Sequence, residues 1–169
     1  YYYYLMDMFG NIPLVTTAGE STENADQASR PEVYRFIVKE LQEVTPLLPT
    51  GHSNLLGKNY GRVTRSVANF LLAKLMLNGE VYSDADWTDN QQPNGKQTYF
   101  TINGQQMNIW QACKYYCDEL TADGFTLAAD YLSNFSVNNE NSPENIFTIP
   151  LDKHLYKSQF QYLFRSRHY

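Results

Sequence analysis

The side chains best able to do chemistry are thinly spread along this chain. Asp84, Asp86 and Asp89 fall within one short stretch, as the first ligands of a calcium loop would. An EF-hand loop also needs further oxygen ligands, a glycine and a distant bidentate Glu at fixed spacing, and these are missing. The trio reads as a solvated acidic loop. Glu140 and Glu144 would serve as a glycosidase pair only if the fold held them at a defined separation, and no sequence feature does so. His52, His154 and His168 are scattered and lie beside no nucleophile motif. There is no Gly-rich phosphate loop. Cys113 and Cys117 sit one helical turn apart, on a common face. Two thiols without a neighbouring His or acidic cluster make neither a zinc site nor a disulfide framework, so they read as buried free thiols. Asn134-Phe135-Ser136 has the form of a glycosylation triplet and carries little weight alone. The chain reads as a non-enzyme with no metal and no cofactor.

Binding chemistry is better represented. Aromatic residues make up 15% of the 169 residues, with 14 Tyr against 2 Trp. Tyrosine offers a flat apolar face and a hydroxyl that hydrogen-bonds, a combination suited to sugars or peptides as well as to core gaps. Sugar C–H faces stack on such rings while Asn, Gln, Arg and Asp take the hydroxyls. Two places have that mixture. One is a loop with Trp87, Tyr99 and Phe100 among Asn and Gln. The other is the tail, with Tyr162, Phe164, Arg165, His168 and Tyr169. The competing assignments are that Trp87 packs beneath its loop and that the tail anchors a following segment. Trp110 falls on an apolar helical stripe and reads as core. The net charge is −5 with no basic stripe, which excludes nucleic acid as a natural partner.

These residues need helices to hold them. Ser29-Arg30-Pro31-Glu32 is a capping box with Pro31 in the first turn. Val33, Phe36, Ile37, Leu41, Val44, Leu47 and Leu48 follow at three-and-four spacing and predict an amphipathic helix ending near Pro49-Thr50-Gly51. Thr64 is the expected cap of a second helix. Val67, Ala68, Phe70, Leu71, Leu72, Ala73, Leu75, Met76 and Leu77 make it apolar around most of its circumference, as in a helix buried between others. Ala68 and Ala73 would let a neighbour approach closely, and Asn78-Gly79 loosens the helix before Tyr82. A third helix starts at Asn108 and ends at Asp123-Gly124, with Ile109, Trp110, Cys113, Tyr116, Cys117 and Leu120 as its stripe. Residues 83–107 form a long polar loop, read as an insertion and of a length that is usually functional or disordered, with a small hairpin turning at Asn103-Gly104. Leu127–Phe135 reads as a short helix and Ile146–Pro150 as a brief strand.

The opening run, YYYYLMDMFGNIPLV, has no start Met and no cap. It reads as the second half of a helix, so the chain is expected to be a piece of a longer protein, cut at both ends. Successive residues on a helix point about 100° apart, so the four tyrosines spread around the axis and read as core, not as one flat platform. No run of about 18 apolar residues is present, so no helix is expected to span a membrane. No signal peptide is visible.

An ordered set of segments resembles the SusD/RagB family of outer-membrane nutrient-binding lipoproteins. They are Tyr1–Val15, SRPEVYRFIVKELQEVTPLLP (Ser29–Pro49), YGRVTRSVANFLLAKLMLNGEVY (Tyr60–Tyr82), the helix Trp110–Thr121 with GFTL after it, and NSPENIFTIPLD (Asn141–Asp152). YGRVT followed by LLAKxxLNxExY is the most specific. Asp89–Met107 departs from the pattern as an insertion. The resemblance implies a mainly α fold of tetratricopeptide-like helical pairs with irregular loops and little strand, residues 1–169 being part of one domain. It implies a lipid anchor on the outer membrane at the cell surface of a Bacteroidetes-type bacterium. The lipidated cysteine of the family lies at the extreme N-terminus, and neither Cys113 nor Cys117 can stand in for it. The implied partner is a SusC-like TonB-dependent β-barrel transporter, and the implied ligand an oligosaccharide, captured without bond cleavage. Some members bind peptides and some bind calcium, whose ligands do not map onto this chain. A plain tetratricopeptide-like scaffold for protein partners and a glycoside hydrolase domain are the other readings.

Overall fold

The structure, a computed structural model, describes residues 1–19, 25–136 and 139–149. Among these the chain is mainly helical, with two short antiparallel strand pairs. Helix α1 (Tyr2–Phe9) stops at Gly10, whose φ of 72° is a conformation that glycine adopts without strain. Strands β1 (Ile12–Pro13) and β2 (Gln27–Ala28) then pair, Ile12 opposite Ala28. Helix α2 (Arg30–Val44) begins at the expected capping box. The Glu32 carboxylate accepts from Ser29 N at 2.7 Å and Ser29 Oγ at 2.6 Å. Asn11 adds a cap from outside the helix, its Oδ1 accepting from Arg30 N at 2.9 Å.

The α-helix closes at Val44, earlier than the spacing predicts. Residues Thr45–Leu47 tighten into a 3₁₀ turn because Pro46 has no N–H to continue the α-helical bonding. Val44 and Leu47 are therefore exposed, and the buried stripe is Val33, Tyr34, Ile37 and Val38.

Helix α3 (Arg65–Leu77) and helix α5 (Ile109–Ala122) form the most extensive contact of the fold. They run antiparallel. Ser66 Oγ donates to Asp123 Oδ2 at 2.6 Å at one end, and the Cys113 thiol reaches Ala73 O at 3.6 Å further along. Ala68 and Ala73 are both buried in this contact region. Leu72, Leu75 and Met76 fill the core with Met6, Tyr34 and Ile109. Each such side chain stabilises the fold by about 1.5–3 kcal/mol when fully buried. The other side of α3 is open, leaving Phe70 and Leu77 exposed, so the helix is half covered and not surrounded.

Asn78 breaks the helix, and α4 (Gly79–Tyr82) resumes it for one turn. Gly79 is there for closeness, not looseness. A Cβ on it would stand 2.6 Å from Ile109 Cδ1 and 2.8 Å from the Tyr34 hydroxyl. The Tyr82 hydroxyl donates to Asp7 Oδ1 at 2.5 Å and ties α4 to α1.

Strands β3 (Tyr99–Ile102) and β4 (Gln105–Asn108) make the predicted hairpin. Asn103 and Gly104 both have positive φ, 50° and 77°, as a two-residue type I′ turn requires. Asn108 then caps α5, accepting from Gln111 N at 2.9 Å.

Several expectations change here. Trp110 is 38% exposed and lies over Gly95, pinning the preceding loop instead of entering the core. Cys117 is exposed and only Cys113 is half-buried, because the stripe of α5 is wider than the face that α3 covers. Tyr2 and Tyr3 pack on the core while Tyr1 and Tyr4 are exposed, since one face of α1 is covered. Within 127–135 only Tyr131–Phe135 turns, as a 3₁₀ helix capped by Asp130. Residues 146–149 form no strand, having no partner strand among the described residues.

Candidate functional site

The candidate site is a cavity of about 310 Å³ where α2, α3, α5 and the hairpin turn meet. Helix α3 supplies its floor, with Arg65, Asn69 and Leu72. The end of α2 supplies Gln42, and the 3₁₀ turn after it supplies Thr45 and Pro46. The hairpin brings Thr101, Ile102 and Asn103, and α5 brings Tyr115, Tyr116 and Glu119. Arg65 and Asn69 are one turn apart and so share a face of α3.

The walls are held by a chain of hydrogen bonds. Gln42 Nε2 donates to Thr101 O and to the Tyr116 hydroxyl, both at 3.2 Å. Asn103 Nδ2 donates to the Tyr115 hydroxyl at 2.8 Å. The two tyrosine rings meet edge to face, with centroids 5.2 Å apart. Both hydroxyls accept a bond from an amide and keep a proton to give. Burial pushes both phenols above their usual range, the Glu119 carboxylate adding to this at Tyr115 and the Gln42 bond opposing it at Tyr116. Both therefore remain protonated donors at neutral pH.

Two polar groups stand on the floor. Asn69 is only 3% exposed. The Arg65 guanidinium reaches Pro46 O at 3.4 Å, and its Nε bonds nothing. No carboxylate lies within ion-pair distance of it among the described residues, where the ion pairs are Lys39–Glu43 and Lys114–Asp118. A buried donor left in this state costs about 1–3 kcal/mol, so a ligand that satisfies it gains accordingly.

The residues singled out from sequence lie elsewhere. Trp87 is 77% exposed and Tyr99 is 56% exposed, so both rings are accessible. Phe100 is on the opposite face of β3 from Tyr99 and turns inward, its ring 5.5 Å from Tyr34 in an edge-on contact. Trp87 and Tyr99 form no aromatic pair with each other among the described residues. Tyr162, Phe164, Arg165, His168 and Tyr169 lie outside the described residues, as do His154 and Pro150.

The acidic residues have local work. Asp84, Asp86 and Asp89 each accept from a backbone N–H two residues on, closing successive turns. No three His, Cys, Asp or Glu side chains converge on a metal position among the described residues. Glu144 accepts from Ala128 N at 3.2 Å and from the Asn134 amide, whose own oxygen accepts from Ser142 Oγ. That clasp ties Ala128, Asn134, Ser142 and Glu144 together and occupies the Asn of the glycosylation triplet.

A second hollow is apolar. It measures about 780 Å³ and runs along the open side of α3 and α5, past Phe70, Leu77, Cys117, Leu120, Leu127 and Ile146.

Sequence reasoning passed over the cavity because its residues come from four separated segments. The one local signal was Asn69, an amide set in the largely apolar run VANFLLAKLML. No protein-family model matches the chain, and no curated protein matches it.

Proposed function

We propose that this chain is part of a SusD/RagB-like cell-surface binding protein that captures oligosaccharide and passes it to a SusC-like TonB-dependent outer-membrane transporter. In this reading the antiparallel α3/α5 pair is one of the tetratricopeptide-like helical pairs of the scaffold. The protein is held at the outer membrane by a lipid anchor near its N-terminus and acts by shape and hydrogen bonding, without bond cleavage. The sequence resemblance supports the family. The observation that carries ligand capture is the cavity: two tyrosine rings, three side-chain amides, one guanidinium and one carboxylate around a space the size of a small-molecule site. That mixture suits a polyhydroxylated ring.

Calorimetry of the full-length protein against panels of glycans and peptides tests this. The expected result is glycan binding that weakens when Tyr115 or Gln42 is replaced by Ala. Binding of peptides with no glycan bound would favour the second reading, peptide capture, which the apolar hollow along α3 and α5 supports. Turnover of any glycan by the pure protein would overturn the non-catalytic assignment.

A further inference from the structure

We infer that the cavity selects a saccharide unit bearing a carboxylate, such as a hexuronic acid, with the carboxylate seated on Arg65 and Asn69. The inference rests on the reading of the cavity as a saccharide site and adds the chemistry of its ligand. The floor and the walls differ in character. The walls are already bonded: Gln42 to Tyr116, Asn103 to Tyr115. The floor holds the donor that remains without a good partner, the Arg65 guanidinium, with the Asn69 amide one turn along the same face of α3.

Arginine recognises a carboxylate through two parallel N–H donors, and a nearby amide N–H₂ can add another donor to the same oxygens. A neutral sugar hydroxyl satisfies one such donor at a time and leaves the charge without a counterpart. Glu119 lines the same cavity but belongs to the α5 wall, beside Tyr115. It is placed to accept from ring hydroxyls. A ligand with its carboxylate at α3 and its hydroxyls toward α5 meets both signs of charge. Ile102 and Leu72 contribute apolar surface between them.

The test is calorimetry of the full-length protein with galacturonate and glucuronate oligomers, against galactose and glucose oligomers of the same linkage. The expected result is binding of the uronates at least about tenfold tighter, the worth of one hydrogen bond to a charged group. Arg65→Gln should remove that preference, so that uronate and neutral oligomers bind with equal affinity. Asn69→Asp keeps the shape and places a negative charge on the floor, so it should weaken uronate binding far more than neutral-sugar binding. Raising salt should weaken uronate binding and not neutral binding. Equal affinity for both sugar series overturns the inference and leaves glycan capture standing. A uronate preference that survives both substitutions overturns the placement on Arg65 and Asn69. Binding of simple carboxylates through Arg65 with no sugar bound overturns the saccharide reading and keeps the carboxylate seat. No binding of any of them overturns both.

Discussion

Glu32 illustrates how one side chain can fix where a helix begins. Its carboxylate collects the backbone N–H and the hydroxyl of Ser29, and those bonds, the hydroxyl first, hold its pKa below the usual glutamate range. The sign follows from linkage. A depressed folded-state pKa gives stability that is present above the unfolded value, about 4.3, and is lost as pH falls through the folded one. An NMR titration should place the Glu32 midpoint below that of an unstructured glutamate, and Ser29→Ala should move it upward. An unchanged midpoint in that variant would show that the cap is not formed in solution. The box was legible because it is purely local, four residues in a row. Asn69 shows the contrary case. Its amide sits among apolar neighbours in sequence, and its value depends on Tyr115 and Gln42 arriving from two other helices.

At the scale of elements, the crossing of α4 and α5 depends on a missing side chain. Gly79 is buried, and Ile109 and the Tyr34 hydroxyl occupy the space that a methyl group would need. Alanine is the better helix former by about 1 kcal/mol, so propensity alone predicts that Gly79→Ala stabilises. Overpacking of this kind costs about 1–3 kcal/mol and should win, because backbone and a β-branched side chain cannot both retreat. Denaturant unfolding of the variant should show the loss, and a gain in midpoint would mean that the helices do not meet so closely. The sequence announced Gly79 but not the reason for a glycine there, which lies thirty residues further on at Ile109. The hairpin, by contrast, was readable from Asn103-Gly104 alone, since few residue pairs accept two positive φ values in succession.

For the molecule as a whole, the helical class and the starts of α2 and α5 followed from capping and periodicity. The extent of burial did not. Apolar positions around α3 say that it has neighbours, and only the assembled fold says on which sides. The result is an open apolar face bounded by Phe70, Leu77, Leu120 and Leu127. On that face stands Cys117, exposed, with Cys113 half-buried a turn away and its thiol pushed up by burial and by its neighbour. This gives the protein a ready attachment point for a reporter. Thiolate reagents favour the accessible sulfur, so a maleimide fluorophore should label Cys117 well before Cys113, with Cys117→Ser removing the fast phase. Comparable rates at both sulfurs would mean that α5 is far less covered than described. Because the dye would sit on the apolar face itself, its emission would shift whenever another surface comes to rest there. The chain thereby carries its own optical gauge of assembly.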